Sequence, residues 1–196
     1  MREHQFRRGP VRSLIVDRGG IVAPATFIAS PNCDERPQSS SILLAVIHGI
    51  SLPPGEFGGD AIERLFTNRL EASGHPSFAA IAALRVSAHF LIRRDGALVQ
   101  FVPCGLRAWH AGESWWRGRA RCNDFSIGIE LEGTDERPYA GAQYLALRRL
   151  VRALRRRYPI EAIAGHSDVA PGRKTDPGPA FDWRLAERLA RLPRVV

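Results

Sequence analysis

The sequence predicts an α/β (α+β) domain in which helices flank a mixed β-sheet. Three stretches of its 196 residues carry this prediction. The continuous apolar run at 42–48 is typical of a buried central strand, and the alternating run at 126–133 is typical of a second strand. Residues 141–159 have the apolar spacing of a long amphipathic helix. Strands interspersed with helices indicate one sheet with helices packed on it.

Shorter elements are predicted between these three. In chain order they are helices at 60–71 and 75–85, a hairpin at 87–103, a strand at 160–164 and a helix at 181–192. Asp60 is a favourable N-cap residue for the first of these helices. Asp95-Gly96 is a typical hairpin turn, and Pro159 ends the long helix. We find no internal repeat.

Residues 1–40 are weakly patterned and end in the turn-rich stretch "SPNCDERPQSSS". We therefore predict an N-terminal extension at 1–40 and one domain at 41–196. The first 25 residues lack an apolar run long enough for a signal peptide, because Asp17 and Arg18 interrupt it. No stretch approaches the length of a transmembrane helix.

The cysteine content argues against a disulfide framework. Cys33, Cys104 and Cys122 are odd in number and form no CxxC pair. Together with the absence of a signal-like run, this predicts a reducing, cytoplasmic location.

The chain is basic, with a formal net charge of +8, and Lys174 is its single lysine. Six arginines between 148 and 157 fall mostly on one side of the long helix, which is typical of a solvated helix face. A nucleic-acid binder would need a basic stripe interleaved with exposed aromatic residues. The aromatic residues lie instead in loops beside the candidate site, so the charge favours an acidic small substrate.

Two histidines and an aspartate suggest a metal site. His48 ends the first predicted strand, and His166 and Asp176 stand ten residues apart in a segment rich in Pro and Gly. Two His ligands and one carboxylate would leave the fourth position of a tetrahedral Zn²⁺ open for water, as in a catalytic zinc site. Taken alone, His48 fits a structural histidine as well, and the sequence does not show that the three converge.

Acid–base and cationic groups for hydrolysis are also present. Glu130 and Glu132 share the polar face of the predicted strand, and Gly128 beside them opens space, so either carboxylate can be the general base. A solvent-facing strand edge is the alternative. Lys174 supplies a compact positive charge for a developing oxyanion, or it pairs with Asp168 or Asp182 and shapes the loop.

Long motifs resemble one enzyme family. These are "VIHGISLPPGEFGG", "RVSAHFLIRRDGALVQFVP", "RAWHAGES", "RCNDFSIGIELEGTD" and "GHSDVAPGRKTDPGPAFDW", which together cover about residues 42–185. They are similar to the zinc-dependent N-acetylmuramoyl-L-alanine amidases, and more narrowly to the cytoplasmic members that act on 1,6-anhydro-muropeptides. The resemblance implies a mixed sheet with helices on its faces, shared with peptidoglycan recognition proteins.

The resemblance also implies site roles. It assigns zinc ligation to His48, His166 and Asp176, catalysis to Glu130 and Lys174, the sugar-groove wall to Trp109 and His110, and stem-peptide contacts to Arg85, Arg121 and Asn123. For Trp109, a core anchor is the alternative. The family commonly has Asn after the first ligand, where this chain has Gly49. Without the Asn amide, a hydrogen bond to the substrate or beside the ligand is lost, which affects substrate recognition rather than zinc binding.

The expected function is zinc-dependent hydrolysis of the amide bond between (anhydro-)N-acetylmuramic acid and L-alanine, in cell-wall recycling. We expect a monomer whose partner is an anhydro-muropeptide, and neither nucleic acid nor a membrane. A lytic amidase acting on intact peptidoglycan and a non-catalytic muropeptide-binding module of the same fold are the alternatives.

Overall fold

The computed structural model describes residues 13–195. Its strands, numbered β1 to β12 in chain order, are Ile15–Val16, Val22–Ala23, Thr26–Phe27, Cys33–Glu35, Leu44–Ile50, Phe90–Ile92, Leu98–Gln100, Leu106–Ala108, Trp115–Trp116, Arg119–Ala120, Ser126–Glu132 and Ala162–Gly165. Its helices, α1 to α4, are Ala61–Phe66, Gly141–Arg155, His166–Val169 and Trp183–Ala190. Single 3₁₀ turns are Ala72–Gly74, Pro76–Phe78 and Cys122–Phe125.

Six strands form the main sheet, in the order β12-β5-β11-β6-β7-β3. Only β6 and β7 pair antiparallel, as the two strands of a hairpin, and the other neighbours run parallel. The predicted fold class, a mixed sheet flanked by helices, is confirmed.

Side chains of the two central strands, β5 and β11, alternate between two buried layers. Ala45 and Ile47 of β5 and Ile129 of β11 belong to a core cluster that also contains residues of α2 and α4. Leu44 and Val46 point to the opposite face and pack against a separate cluster. His48 continues this second series, so it lies on the sheet face away from α2.

Most predicted elements are confirmed, and three differ in extent or kind. The long helix predicted at 141–159 ends at Arg155, and a turn at 156–158 precedes Pro159. The helix predicted at 60–71 ends at Phe66, because Asn68 takes a left-handed φ of 60°. Residues 75–85 form no α-helix but a 3₁₀ turn, Pro76–Phe78, and further turns. A short Ala-rich stretch forms too few helical hydrogen bonds to offset the conformational entropy that its backbone loses on ordering.

The N-terminal segment adds to the folded domain where the structure describes it. Strand β3 pairs in parallel with β7 at the edge of the main sheet, and Leu14 and Val22 belong to the core. Residues 1–12 of the predicted extension lie outside the described residues, and the boundary at 40/41 stays a prediction. The three cysteines are free thiols. Among residues 13–195, no helix is long and apolar enough to span a membrane.

Candidate metal centre and active-site cleft

Neighbouring strands bring the candidate residues together. His48 near the end of β5 lies directly beside Glu130 of the parallel strand β11. On the other side of β5, Gly165 ends β12 opposite Ile47, and His166 follows as the first residue of α3. The carboxyl ends of parallel strands are a usual place for functional side chains in such sheets.

The three predicted zinc ligands converge. His48 Nδ1 lies 3.0 Å from His166 Nδ1 and 3.1 Å from Asp176 Oδ2, and His166 Nδ1 lies 3.2 Å from the same oxygen. Ligand atoms about 2.0–2.1 Å from a tetrahedral Zn²⁺ lie about 3.3 Å apart, close to these separations. Three lone-pair atoms in one small triangle fit a shared cation, so this donor set suits Zn²⁺.

The electrostatic setting keeps His48 uncharged. Burial, and next the neighbouring His166 ring, lower the pKa of His48 to about 4. A histidine must be neutral to offer a lone pair to a metal. The ring of His48 is therefore ready to coordinate at neutral pH.

Glu130 and Glu132, the two carboxylates of β11, have different environments in the structure. Glu130 is 8% exposed, and its Oε2 has no hydrogen-bond partner among the described residues. Burial, with the negative charge of Asp176 adding to it, raises the pKa of Glu130 well above its ordinary value. Strand β11 lies between β5 and β6, so the solvent-facing alternative is excluded.

Glu132, by contrast, has a structural environment. Its Oε1 accepts hydrogen bonds from Gly58 N and Arg93 Nη1, and its Oε2 accepts one from Arg94 N. Both oxygens are therefore occupied, which leaves Glu130 as the carboxylate of this strand that is available for proton transfer.

Lys174 lines the same cleft as the three candidate ligands. The residues offered as alternative partners have other contacts. Asp168 pairs with Arg194, and Asp182 caps α4 by accepting from Leu185 N. The ammonium group forms no ion pair or hydrogen bond within residues 13–195.

The cleft encloses about 220 Å³ and has mixed walls. Apolar contacts come from Ile50, Leu65, Phe66, Leu84 and Val86, and polar groups come from the three candidate ligands, Glu130 and Lys174. Trp109 lines it, partly exposed, and belongs to none of the three core clusters. Its indole Nε1 donates to Asp34 Oδ1 at 3.2 Å, which holds the ring at the rim.

The other residues assigned to substrate fall into two groups. His110 reaches the cleft but is buried, with both ring nitrogens bonded to protein groups. Asn123 Oδ1 accepts the backbone N–H groups of His110 and Ala111, so this oxygen supports the loop. Arg85 and Arg121 are exposed and are not brought into the cleft.

Sequence reasoning missed the supporting residues of the site. Ser126 bonds the far side of His110, the carbonyl of Ala111 accepts from His166 Nε2, and Tyr139 Oη donates to Pro177 O beside Asp176. Ser126 lies inside the motif "RCNDFSIGIELEGTD", and this membership is the sequence feature that could have indicated its role. Nothing in the pattern around Tyr139 distinguishes it from a core residue.

Comparisons with known proteins identify the family of this chain. The chain matches the N-acetylmuramoyl-L-alanine amidase family over residues 38–179. It is 57% identical over 172 residues to the 1,6-anhydro-N-acetylmuramyl-L-alanine amidase AmpD of Escherichia coli K12, which covers 87% of this chain and 93% of that protein.

Solved structures show the same fold. A crystal structure of a selenomethionine AmpD derivative superposes with a TM-score of 0.86 at 56% identity, over 89% of this chain and 98% of that one. The Escherichia coli amidase AmiD, in complex with the substrate anhydro-N-acetylmuramic acid-L-Ala-D-γ-Glu-L-Lys, matches with a TM-score of 0.57 at 30% identity, over 79% of this chain and 60% of that one. The chain belongs to the N-acetylmuramoyl-L-alanine amidase family.

Proposed function

We propose that this protein hydrolyses the amide bond between 1,6-anhydro-N-acetylmuramic acid and L-alanine in muropeptides, as a zinc enzyme of cell-wall recycling. One observation carries the proposal: the triangle formed by His48, His166 and Asp176 lies in one cleft with the unpartnered carboxylate of Glu130. The substrate class is supported by two relatives, a 1,6-anhydro-N-acetylmuramyl-L-alanine amidase and an amidase in complex with anhydro-N-acetylmuramic acid-L-Ala-D-γ-Glu-L-Lys.

His48, His166 and Asp176 would hold the Zn²⁺. When bound there, the ion supplies Lewis acidity to the amide carbonyl and lowers the pKa of water. Glu130 accepts a proton from the attacking water at its free carboxylate oxygen and passes it to the leaving amine of L-alanine. Burial and the charge of Asp176 raise the pKa of Glu130, which makes its carboxylate a stronger base toward the attacking water.

Lys174 stabilises the negative charge that develops on the carbonyl oxygen. Lys174 lines the cleft, and its ammonium group has no competing partner within residues 13–195. Trp109 offers an aromatic face to the apolar side of the sugar ring, with its indole N–H engaged by Asp34. The stem-peptide contacts assigned to Arg85, Arg121 and Asn123, and a sugar contact by His110, remain predictions.

A cytoplasmic monomer is part of the proposal. The three free thiols fit a reducing compartment. The basic net charge suits a substrate with several carboxylates.

The proposal is tested by assaying one zinc-loaded preparation on purified anhydro-muropeptide and on intact sacculi. We expect release of the stem peptide from the soluble substrate and little release from sacculi. Faster cleavage of sacculi would identify a lytic amidase. Tight binding of the muropeptide without turnover would identify a recognition module.

A further inference from the structure

One short segment supports both candidate histidine ligands from behind. His48 Nε2 lies 3.0 Å from His110 Nδ1, and His166 Nε2 lies 3.2 Å from the carbonyl oxygen of Ala111. Each ligand ring thus has its second nitrogen bonded to a protein group, while Nδ1 faces the cluster. A metal-bound histidine is commonly oriented in this way by the partner of its other nitrogen.

The hydrogen bonds around Ser126 decide where the protons lie. Ser126 Oγ donates its single proton to the carbonyl of Cys122 at 2.6 Å, so it can only accept from His110 Nε2 at 3.2 Å. His110 therefore carries its proton on Nε2 and has a lone pair on Nδ1. That lone pair accepts from His48 Nε2–H, which leaves the lone pair of His48 on Nδ1, directed at His166 and Asp176.

The ring of His110 has little freedom to adopt another arrangement. A Cβ atom on Gly128 would lie 2.4 Å from His110 Cγ, so the ring packs directly on the backbone of β11. The backbone N–H groups of His110 and Ala111 both donate to Asn123 Oδ1, at 3.2 and 2.8 Å. The space beside Gly128, predicted from the sequence as room for a catalytic group, is filled by the ring of His110.

We infer that His110 is a positioning residue of the metal centre, which fixes the tautomer and the orientation of His48 through a hydrogen-bond relay that ends at Ser126 and the carbonyl of Cys122. This inference rests on the proposed metal site. It gives His110 a role in metal affinity, whether or not the ring also touches the sugar.

Three substitutions separate hydrogen bonding from packing. In His110→Asn the amide oxygen occupies nearly the place of Nδ1 and can accept from His48. In His110→Gln the side-chain amide reaches the place of Nε2 and loses that contact, and His110→Phe keeps the volume of the ring but no hydrogen bond. The measurement is the dissociation constant for Zn²⁺, by competition with a chromogenic chelator.

We expect His110→Asn to bind Zn²⁺ within a few-fold of the wild type, and the Gln and Phe variants to bind it about 10–100-fold more weakly. Thermal unfolding of the metal-free variants should rank them in the opposite order, because Phe fills the buried site best and Asn leaves a cavity. A dissociation constant that follows the packing order, or three variants that bind like the wild type, would overturn the inference.

Ser126→Ala provides a second measurement that does not depend on folding of the Asn variant. Without its acceptor, His110 is free to take the other tautomer, whose Nδ1–H opposes His48 Nε2–H. We expect several-fold weaker Zn²⁺ binding in the wild-type background and no further loss in the His110→Phe background. Equal losses in both backgrounds would also overturn the inference. Failure of the wild type itself to bind Zn²⁺ would instead contradict the proposed metal site.

Discussion

At Lys174, the difference in shape between an ammonium and a guanidinium group is expected to affect catalysis. This chain uses Arg at its other basic positions, and its one Lys stands two residues before a candidate ligand. Lys174 lines the cleft, while Asp168 and Asp182 are engaged elsewhere. A guanidinium is broad, planar and forked, whereas an ammonium is a compact charge on a thin stem. The geometry favours a role toward substrate over a loop-shaping one.

Lys174→Arg should retain Zn²⁺ and lose about 10²–10³ in kcat, because the larger group displaces the oxyanion that a compact charge stabilises. Metal content and turnover are measured on the same preparation. The matched control is Arg184→Lys at an exposed position of α4, which should change neither. Near-normal kcat in Lys174→Arg would mean that any cation serves.

Glu130→Gln should keep the fold and the metal but lose about 10²–10⁴ in rate, because the amide cannot accept the proton of the attacking water. Glu132→Gln is the matched control, two residues along β11. It should lower the free energy of unfolding, since it disturbs the contacts with Arg93, Arg94 N and Gly58 N, and leave kcat largely intact. An active Glu130→Gln beside an inactive Glu132→Gln would reverse the assignment.

Tyr139 accounts for the space beside Gly49, where the family commonly has Asn. A Cβ atom on Gly49 would lie 2.3 Å from Tyr139 Oη, and that hydroxyl donates to Pro177 O at 2.9 Å. Pro177 directly follows the candidate ligand Asp176. The hydroxyl therefore connects the end of β5 to the loop that carries the carboxylate ligand.

Tyr139→Phe should leave the Pro177 carbonyl unpaired, at a cost of about 1–3 kcal/mol in unfolding free energy, and should weaken Zn²⁺ binding. Tyr144→Phe is the control, because Tyr144 Oη accepts from Asp182 N away from the cleft. Urea denaturation and Zn²⁺ competition are measured on both variants. Two variants that lose stability alike and bind Zn²⁺ alike would show that Tyr139 has no special relation to Asp176.

At the scale of elements, strands are predicted better than short helices. The apolar run at 42–48 and the alternation at 126–133 specify β5 and β11, because both faces of these strands are buried. Residues 75–85 carry only a local preference for helix, and no long apolar face stabilises one there. The contribution of the N-terminal segment to the sheet is invisible in the sequence, since β3 is two residues long and its pairing with β7 depends on tertiary contacts.

Arg36, just after β4, connects that N-terminal segment to the loop before β11. Its guanidinium donates to the carbonyls of Asn123, Ser126 and Cys104, and burial lowers its pKa to about 10, so it stays charged at neutral pH. Arg36→Met should cost about 3 kcal/mol in unfolding free energy, because buried carbonyls lose a charged donor. Urea denaturation checks this against exposed Arg18→Met, for which we expect no change. Equal stability of the two variants would contradict the prediction.

For the whole molecule, the sequence identifies the candidate ligands but not their support. His48 and His166 are 118 residues apart, and they meet because β5 and β12 are neighbours in the sheet. Each candidate ligand stands at a strand end or in a turn-rich loop, but the sequence alone does not show that they converge. The position of His110 behind His48 depends on how the segment after β8 crosses Gly128, which no local pattern specifies.

Zn²⁺ should stabilise the whole fold, because it binds a site that exists only when β5, β12 and the loop of Asp176 are assembled. With free Zn²⁺ about 100-fold above the dissociation constant, the gain is about 2.7 kcal/mol. For a domain of this size that corresponds to a rise of about 5–11 °C in the midpoint of thermal unfolding. Scanning calorimetry of protein stripped with a chelator and then reloaded measures this shift. Mg²⁺ should give no rise, because it prefers oxygen ligands. His166→Ala should lose most of the Zn²⁺-dependent rise, and full zinc occupancy in that variant would remove His166 from the ligand set.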